Sequence, residues 1–155
     1  MRAWRIEKDK YLRAAKTGEG ARRTGGRWNL GGTPVIYASE HLALAVLEII
    51  ANAPDPASRL VARMRSALQV PDALVEELPT DRLPADFGPA SPFATTLPIG
   101  EAWLQEQRSV GLLVPSAIVP EERNLLLNPA HPRFKDVEWS RFERINLDAR
   151  LWMVA

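Results

Sequence analysis

A single α+β domain is the fold class that the sequence predicts, and three observations predict it. Its 155 residues suit one shared core and are too few for two comfortable ones. Two stretches, 39–52 and 96–110, carry helix patterns, while short apolar runs bounded by Pro, Gly or Asn read as strands around them. Apolar side chains make up 46% of the chain and charged ones 25%, the balance of a folded protein with a packed interior.

Charge and cysteine usage narrow the function classes. Twenty basic against nineteen acidic side chains leave a net charge of +1, so the overall field attracts neither nucleic acid nor acidic lipid, and any anion site must be local. With no cysteine, disulfides, thiolate catalysis and cysteine-ligated metal centres are excluded. Met1 to Lys10 lacks the apolar core of a signal peptide, and no run approaches the roughly 20 apolar residues of a membrane span. The expected location is the cytoplasm.

The elements follow in order. A first strand carries Arg5. Six of the nine glycines, Gly18, Gly20, Gly25, Gly26, Gly31 and Gly32, then crowd together with Arg22, Arg23 and Arg27. Glycine lets backbone approach a ligand and guanidinium supplies forked donors, so this loop reads as an anion-binding loop or, equally, as a solvated surface loop. Pro34 to Tyr37 reads as a short strand and Ser39 as the N-cap of a helix running to about Asn52. That helix is nearly continuously apolar from Leu42 to Ala51, which predicts burial on most sides. Glu48 is the one charge in the run. At helical spacing it shares a stripe with His41, Ala45 and Asn52 that either floors a cleft or forms the solvated face.

Leu60 to Leu68 suits a strand closed by Pro71. Prolines 79, 84, 89, 92 and 98 mark an irregular excursion, a lid or a connector. A helix from Thr96 to Val110 turns Ile99, Trp103 and Val110 inward and Glu101, Gln105, Glu106 and Arg108 outward. Leu112 to Val119 is a strand whose Pro115 implies an edge, bulge or kink, with Ser116 facing core or cleft. Arg123 to Leu127 follows as a strand, Asn128 to Pro132 as a rigid turn, and Arg141 to Leu147 with Leu151 to Val154 as closing strands.

Several chemistries lack their residues. A Walker loop needs Lys before Ser or Thr, but Gly31-Gly32-Thr33 has Gly there. A dinucleotide fingerprint fails because Gly18-Glu19-Gly20 is followed by Arg23 where a third glycine belongs. His41 and His131 have no paired spacing for a metal site or a catalytic triad, so no metal is expected.

Three blocks in order resemble the RES-domain family: Gly25-Gly26-Arg27-Trp28-Asn29 with Gly32 to Tyr37; Leu42 to Glu48; and Ser116 to Pro120 with Asn124 to Pro129 and His131-Pro132. The family's arginine, glutamate and serine fall on Arg27, Glu48 and Ser116. The resemblance spans most of residues 1–155, read as one RES-type domain. It implies an ADP-ribosyltransferase-like core of mixed or antiparallel strands with flanking helices. It also implies a bacterial toxin that consumes NAD as its substrate and is blocked at its active site by a cognate antitoxin. One departure is visible: family members often carry a histidine shortly after the glutamate, where this chain has Ala51-Asn52-Ala53.

On that resemblance, Glu48 stabilises positive charge on the ribose as the nicotinamide bond breaks, and Arg27 grips the pyrophosphate. Tyr37 stacks on nicotinamide and Ser116 offers a hydroxyl to phosphate or ribose. Arg5, Trp28, Asn29 and Asn128 complete the expected NAD contacts. The acceptor stays open among phosphate, water and a protein side chain, the last making the chain an ADP-ribosyltransferase with a protein target. A non-catalytic module binding a nucleotide or a partner is the alternative from another class, and Glu48 argues against it, since a carboxylate repels phosphates.

Overall fold

Strand parity organises this fold, because residues two apart share a face of the sheet. The computed structural model describes residues 1–53 and 61–152. Its strands are β1 (Arg2–Lys8), β2 (Ile36–Ser39), β3 (Arg63–Gln69), β4 (Val75–Glu77), β5 (Gly111–Pro115), β6 (Arg123–Leu127), β7 (Glu138–Trp139) and β8 (Glu143–Arg144). They form one sheet in the order β4-β5-β6-β2-β1-β3-β7, with β8 also pairing to β3. Of the described pairings only β4 with β5 is parallel. Helices α1 (Glu19–Thr24), α2 (Leu42–Ala51) and α3 (Leu97–Glu106) flank it, so the α+β expectation holds.

The register of β2 on β6 sorts the two faces. Ile36 opposes Leu127 and Ala38 opposes Leu125, while Tyr37 opposes Leu126 and Ser39 opposes Asn124. The first set joins a core with Ala3, Leu68, Val70, Val110 and Val137. The second face carries a core of Leu112, Val114 and Leu126 against Trp28 and the α3 residues Trp103 and Leu104. Covering both faces explains the unbroken Leu125-Leu126-Leu127 run, each leucine fully buried and each worth roughly 1.5–3 kcal/mol. At the end of the second face the apolar pairs give way to Ser39 and Asn124, and that is where the polar site sits.

Close packing fixes α3 on the glycine-rich loop. A Cβ at Gly100 would stand 1.9 Å from the Trp28 carbonyl oxygen, so backbone meets helix there with no room for a side chain. Across the same contact the Glu101 carboxylate accepts from the Leu30 N–H at 2.7 Å. Glu101 is therefore turned onto the loop, not outward as its helical position suggested.

Other expectations are corrected. Ser39 is no helix cap: β2 runs on to it because β6 pairs that far, and His41 takes the N-cap position without a capping side-chain bond. Helix α2 buries only Leu44, Ala45 and Val46 and leaves Leu47 40% exposed, because a ten-residue helix lying on β1 and β2 has one face to bury. The glycine-rich stretch contains a short helix, α1. The predicted closing strand Arg141 to Leu147 shrinks to Glu143–Arg144, and Leu151 lies in a 3-10 turn, Ala149–Trp152. Leu60, Met153 and Val154 lie outside the described residues. The 79–98 excursion is irregular as expected, with 3-10 turns at Thr80–Arg82 and Phe93–Thr95. Among the described residues no helix is long and apolar enough to cross a membrane.

Candidate active site

Glu48 projects from the last turns of α2 towards the polar end of the sheet, where three strands deliver its partners. Its Oε1 accepts from Ser116 Oγ at 3.0 Å and from Asn124 Nδ2 at 2.5 Å. Asn124 is oriented in turn by Ser39 Oγ, which donates to its Oδ1 at 2.7 Å. Ser116, wholly buried just beyond Pro115, also accepts from the N–H groups of Ile118 and Val119 at 3.1 and 3.2 Å. One carboxylate oxygen is thus held from two directions by side chains that are themselves held. Among the described residues Oε2 carries a single long bond, from Asn52 Nδ2 at 3.3 Å, which leaves lone pairs for an incoming hydroxyl. Asn52 also caps α2 by donating to the Glu48 carbonyl at 2.8 Å.

Arg27 arises from the glycine-rich loop and lies near enough to Glu48 for the carboxylate to favour its charged form. Burial works the other way, and as the larger influence it pulls the guanidinium below its ordinary pKa. Nη1 donates to Ser91 Oγ at 2.8 Å and to the Ser91 carbonyl at 3.2 Å. The guanidinium carbon sits 4.8 Å from the Phe93 ring centre and 5.8 Å from that of Phe87, distances at which a cation is attracted to a ring face.

Tyr37 is anchored at its tip. Its hydroxyl donates to Asn29 Oδ1 at 2.8 Å and accepts from the Trp28 N–H at 3.2 Å, which leaves only the ring to meet a ligand. Gly26 is required beside it, since a Cβ there would approach the Tyr37 hydroxyl to 2.6 Å. Burial pushes the Tyr37 phenol up to about 12. A raised folded-state pKa stabilises the fold fully below the unfolded value of about 10, and that stability is lost as pH rises through the folded value. Urea denaturation between pH 9 and 12 should therefore show stability falling more steeply in wild type than in Tyr37→Phe; parallel curves would refute the assignment.

The structure separates the remaining candidates. Asn29 works inside the loop, its amide donating to the carbonyls of Ala21, Leu30 and Thr33. Trp28 is 3% exposed and belongs to the core, so it supports the site from beneath. Arg5 is not brought to Glu48: Trp4, not Arg5, pairs with Ser39, and the two Arg5 Nη groups donate to the Tyr37 carbonyl at 2.7 Å and to Glu7 at 2.5 Å. Asn128 lies at the opposite end of β6, about 13 Å along the strand from Asn124. Its amide serves the Leu104 carbonyl and the Ala130 N–H of the local turn. Arg22 and Arg23 turn away to Glu19, whose carboxyl their hydrogen bonds hold down at about 2. Asn124, Ser39 and Ser91 are the residues that sequence reading missed. Among the described residues no group of three or more His, Asp or Glu gathers to hold a metal.

The family model for the RES domain matches residues 2–148. The chain belongs to the RES-domain family. This RES domain is 35% identical over 152 residues to a protein named Toxin Res from Photorhabdus laumondii subsp. laumondii, covering 97% of each chain. It is 36% identical over 156 residues to a Sphingobium protein named Prs ADP-ribosylating toxin, covering 96% of this chain and 94% of that one. Its fold matches that in the crystal structure of the M. tuberculosis MbcT–MbcA toxin–antitoxin complex, with TM-score 0.74 over 97% of this chain and 86% of that one at 23% identity. Of Arg27, Glu48 and Ser116, expected from the resemblance as the family's arginine, glutamate and serine, the last two are in direct hydrogen-bond contact.

Proposed function

We propose that this RES domain, a single unit over residues 1–155, is a bacterial toxin acting in the cytoplasm that cleaves the nicotinamide–ribose bond of NAD, restrained by a cognate antitoxin that covers the site. The observation carrying this reading is the Glu48 carboxylate, pinned through Oε1 by Ser116 and Asn124 and facing the field of Arg27 with Oε2 still able to accept. The names of the relatives support the toxin role.

In this reaction the C1′–N1 bond breaks, its electron pair neutralising the pyridinium nitrogen, and nicotinamide leaves. The ribose is left with oxocarbenium character. Glu48 opposes that charge from a fixed position, and needs no reorganisation because its network already holds it. Its Oε2 accepts from a ribose hydroxyl. Arg27 binds the pyrophosphate and Tyr37 offers its ring to nicotinamide. A phosphate oxygen then bonds C1′ to give ADP-ribose 1″-phosphate, or water does so and releases a proton with ADP-ribose.

Incubating the protein with NAD, with and without inorganic phosphate, is expected to release nicotinamide, and the ribosyl product names the acceptor. Failure to release nicotinamide under either condition would sink this reading. Transfer of ADP-ribose to a protein is the second reading, favoured by the name of the Sphingobium relative. Labelled NAD added to cell extract would then leave label on protein.

A further inference from the structure

We infer that the proline-punctuated segment from Phe87 to Thr96 is the second wall of this site, and that its Ser91 is a positioning residue that presents the Arg27 guanidinium to the substrate's diphosphate. This rests on the NAD reading above and deepens it. Three contacts of the Ser91 hydroxyl carry it first. Ser91 is 7% exposed, and its hydroxyl has one proton and two lone pairs to place. The proton goes to the Gly88 carbonyl at 2.7 Å, one lone pair takes the Gly88 N–H at 3.2 Å, and the other meets Arg27 Nη1 at 2.8 Å. The hydroxyl is thus saturated and its direction towards Arg27 is fixed by its own turn.

The same segment holds Arg27 at its other end. Fully buried Thr96 donates through Oγ1 to the Arg27 carbonyl at 2.5 Å, so main chain and head group are both tied to residues 91–96. Phe87 and Phe93 lie close by, and Phe87 packs on Trp28 with ring centres 6.0 Å apart. Arg27 donates only through Nη1 among its described hydrogen bonds. Its Nη2–Nε edge keeps two parallel donors, the arrangement that matches two oxygens of a phosphate. Anchoring one corner removes the rotamer freedom that binding would otherwise have to quench.

The test is titration of ADP-ribose and of nicotinamide riboside, which lacks the diphosphate, into wild type, Ser91→Ala and Ser91→Thr, together with steady-state NAD turnover. Ser91→Ala is expected to weaken ADP-ribose binding and raise KM about ten-fold, with kcat within a factor of two and nicotinamide riboside binding unchanged. Ser91→Thr restores the affinity. Equal ADP-ribose affinity in wild type and Ser91→Ala, or equal losses for both ligands, overturns the role given to Ser91 while leaving the NAD reading intact. A wild type that neither binds ADP-ribose nor consumes NAD overturns both.

Discussion

Glu48→Gln is expected to fold normally and to lose NAD cleavage by about 10²- to 10³-fold, the usual worth of one preorganised electrostatic group. Glutamine keeps the shape and can still accept at one oxygen from Ser116 and Asn124, so the network that holds position 48 survives. What goes is the negative charge that the proposed mechanism sets opposite the developing sugar cation. Steady-state kinetics with a circular dichroism and thermal-melt control measures this, and near-normal turnover in a well-folded variant would remove Glu48 from the mechanism. Asn124→Ala should fall between the two, because it leaves the charge but frees the carboxylate on one side. That ordering separates charge from positioning, which a test on Glu48 alone cannot do.

The second large effect concerns the contact beneath the arginine. Gly100→Ala is expected to destabilise the fold by about 3 kcal/mol, since the new methyl would collide with the Trp28 carbonyl and not with a movable side chain. For a domain of this size that corresponds to a fall in Tm of roughly 6–12 °C. Because Trp28 follows Arg27 directly, the displaced backbone also misplaces the guanidinium, and KM for NAD should rise in whatever protein still folds. Gly20→Ala is the control: nothing lies within 4 Å of its Cβ position inside α1, so helix propensity alone should stabilise by about 0.5–1 kcal/mol. Equal melting behaviour of the two variants would show that α3 does not seat on the loop as described.

How much of this was legible beforehand depends on whether a residue's role is local or made by strand pairing. The β6 strand, the Glu48 helix and an irregularity at Pro115 follow from local pattern. Strand β6 occurs where expected, the helix starts at Leu42 without Ser39 as its cap, and the strand expected to run from Leu112 to Val119 stops at Pro115, paired on both sides and so not an edge. Asn124 and Asn128 show the limit. They bracket the same three leucines, and nothing local separates them. Only the antiparallel register of β2 with β6, which sets Asn124 opposite Ser39, shows which of the two reaches Glu48. Ser39 was misread for the same reason: a serine before a helical run is a good cap by itself, and becomes a strand residue only once its partner is known. Ser91 was invisible because a segment broken by prolines has no period, so which of its side chains turns inward cannot be read from spacing. Between the two readings left open for the three arginines, Glu19 is the local sign for Arg22 and Arg23: three and four residues before them, it pairs with both on their own helix.

The sheet order has a consequence for synthesis. Arg27, Tyr37 and Glu48 all leave the ribosome early, but β2 finds its neighbour β6 only after residue 127 has emerged, and Ser116 and Asn124 come with that late stretch. Until then Glu48 lacks the two side chains that hold its Oε1. On the reading proposed above, cleavage of the dinucleotide therefore waits for residues 116–127 to emerge and pair.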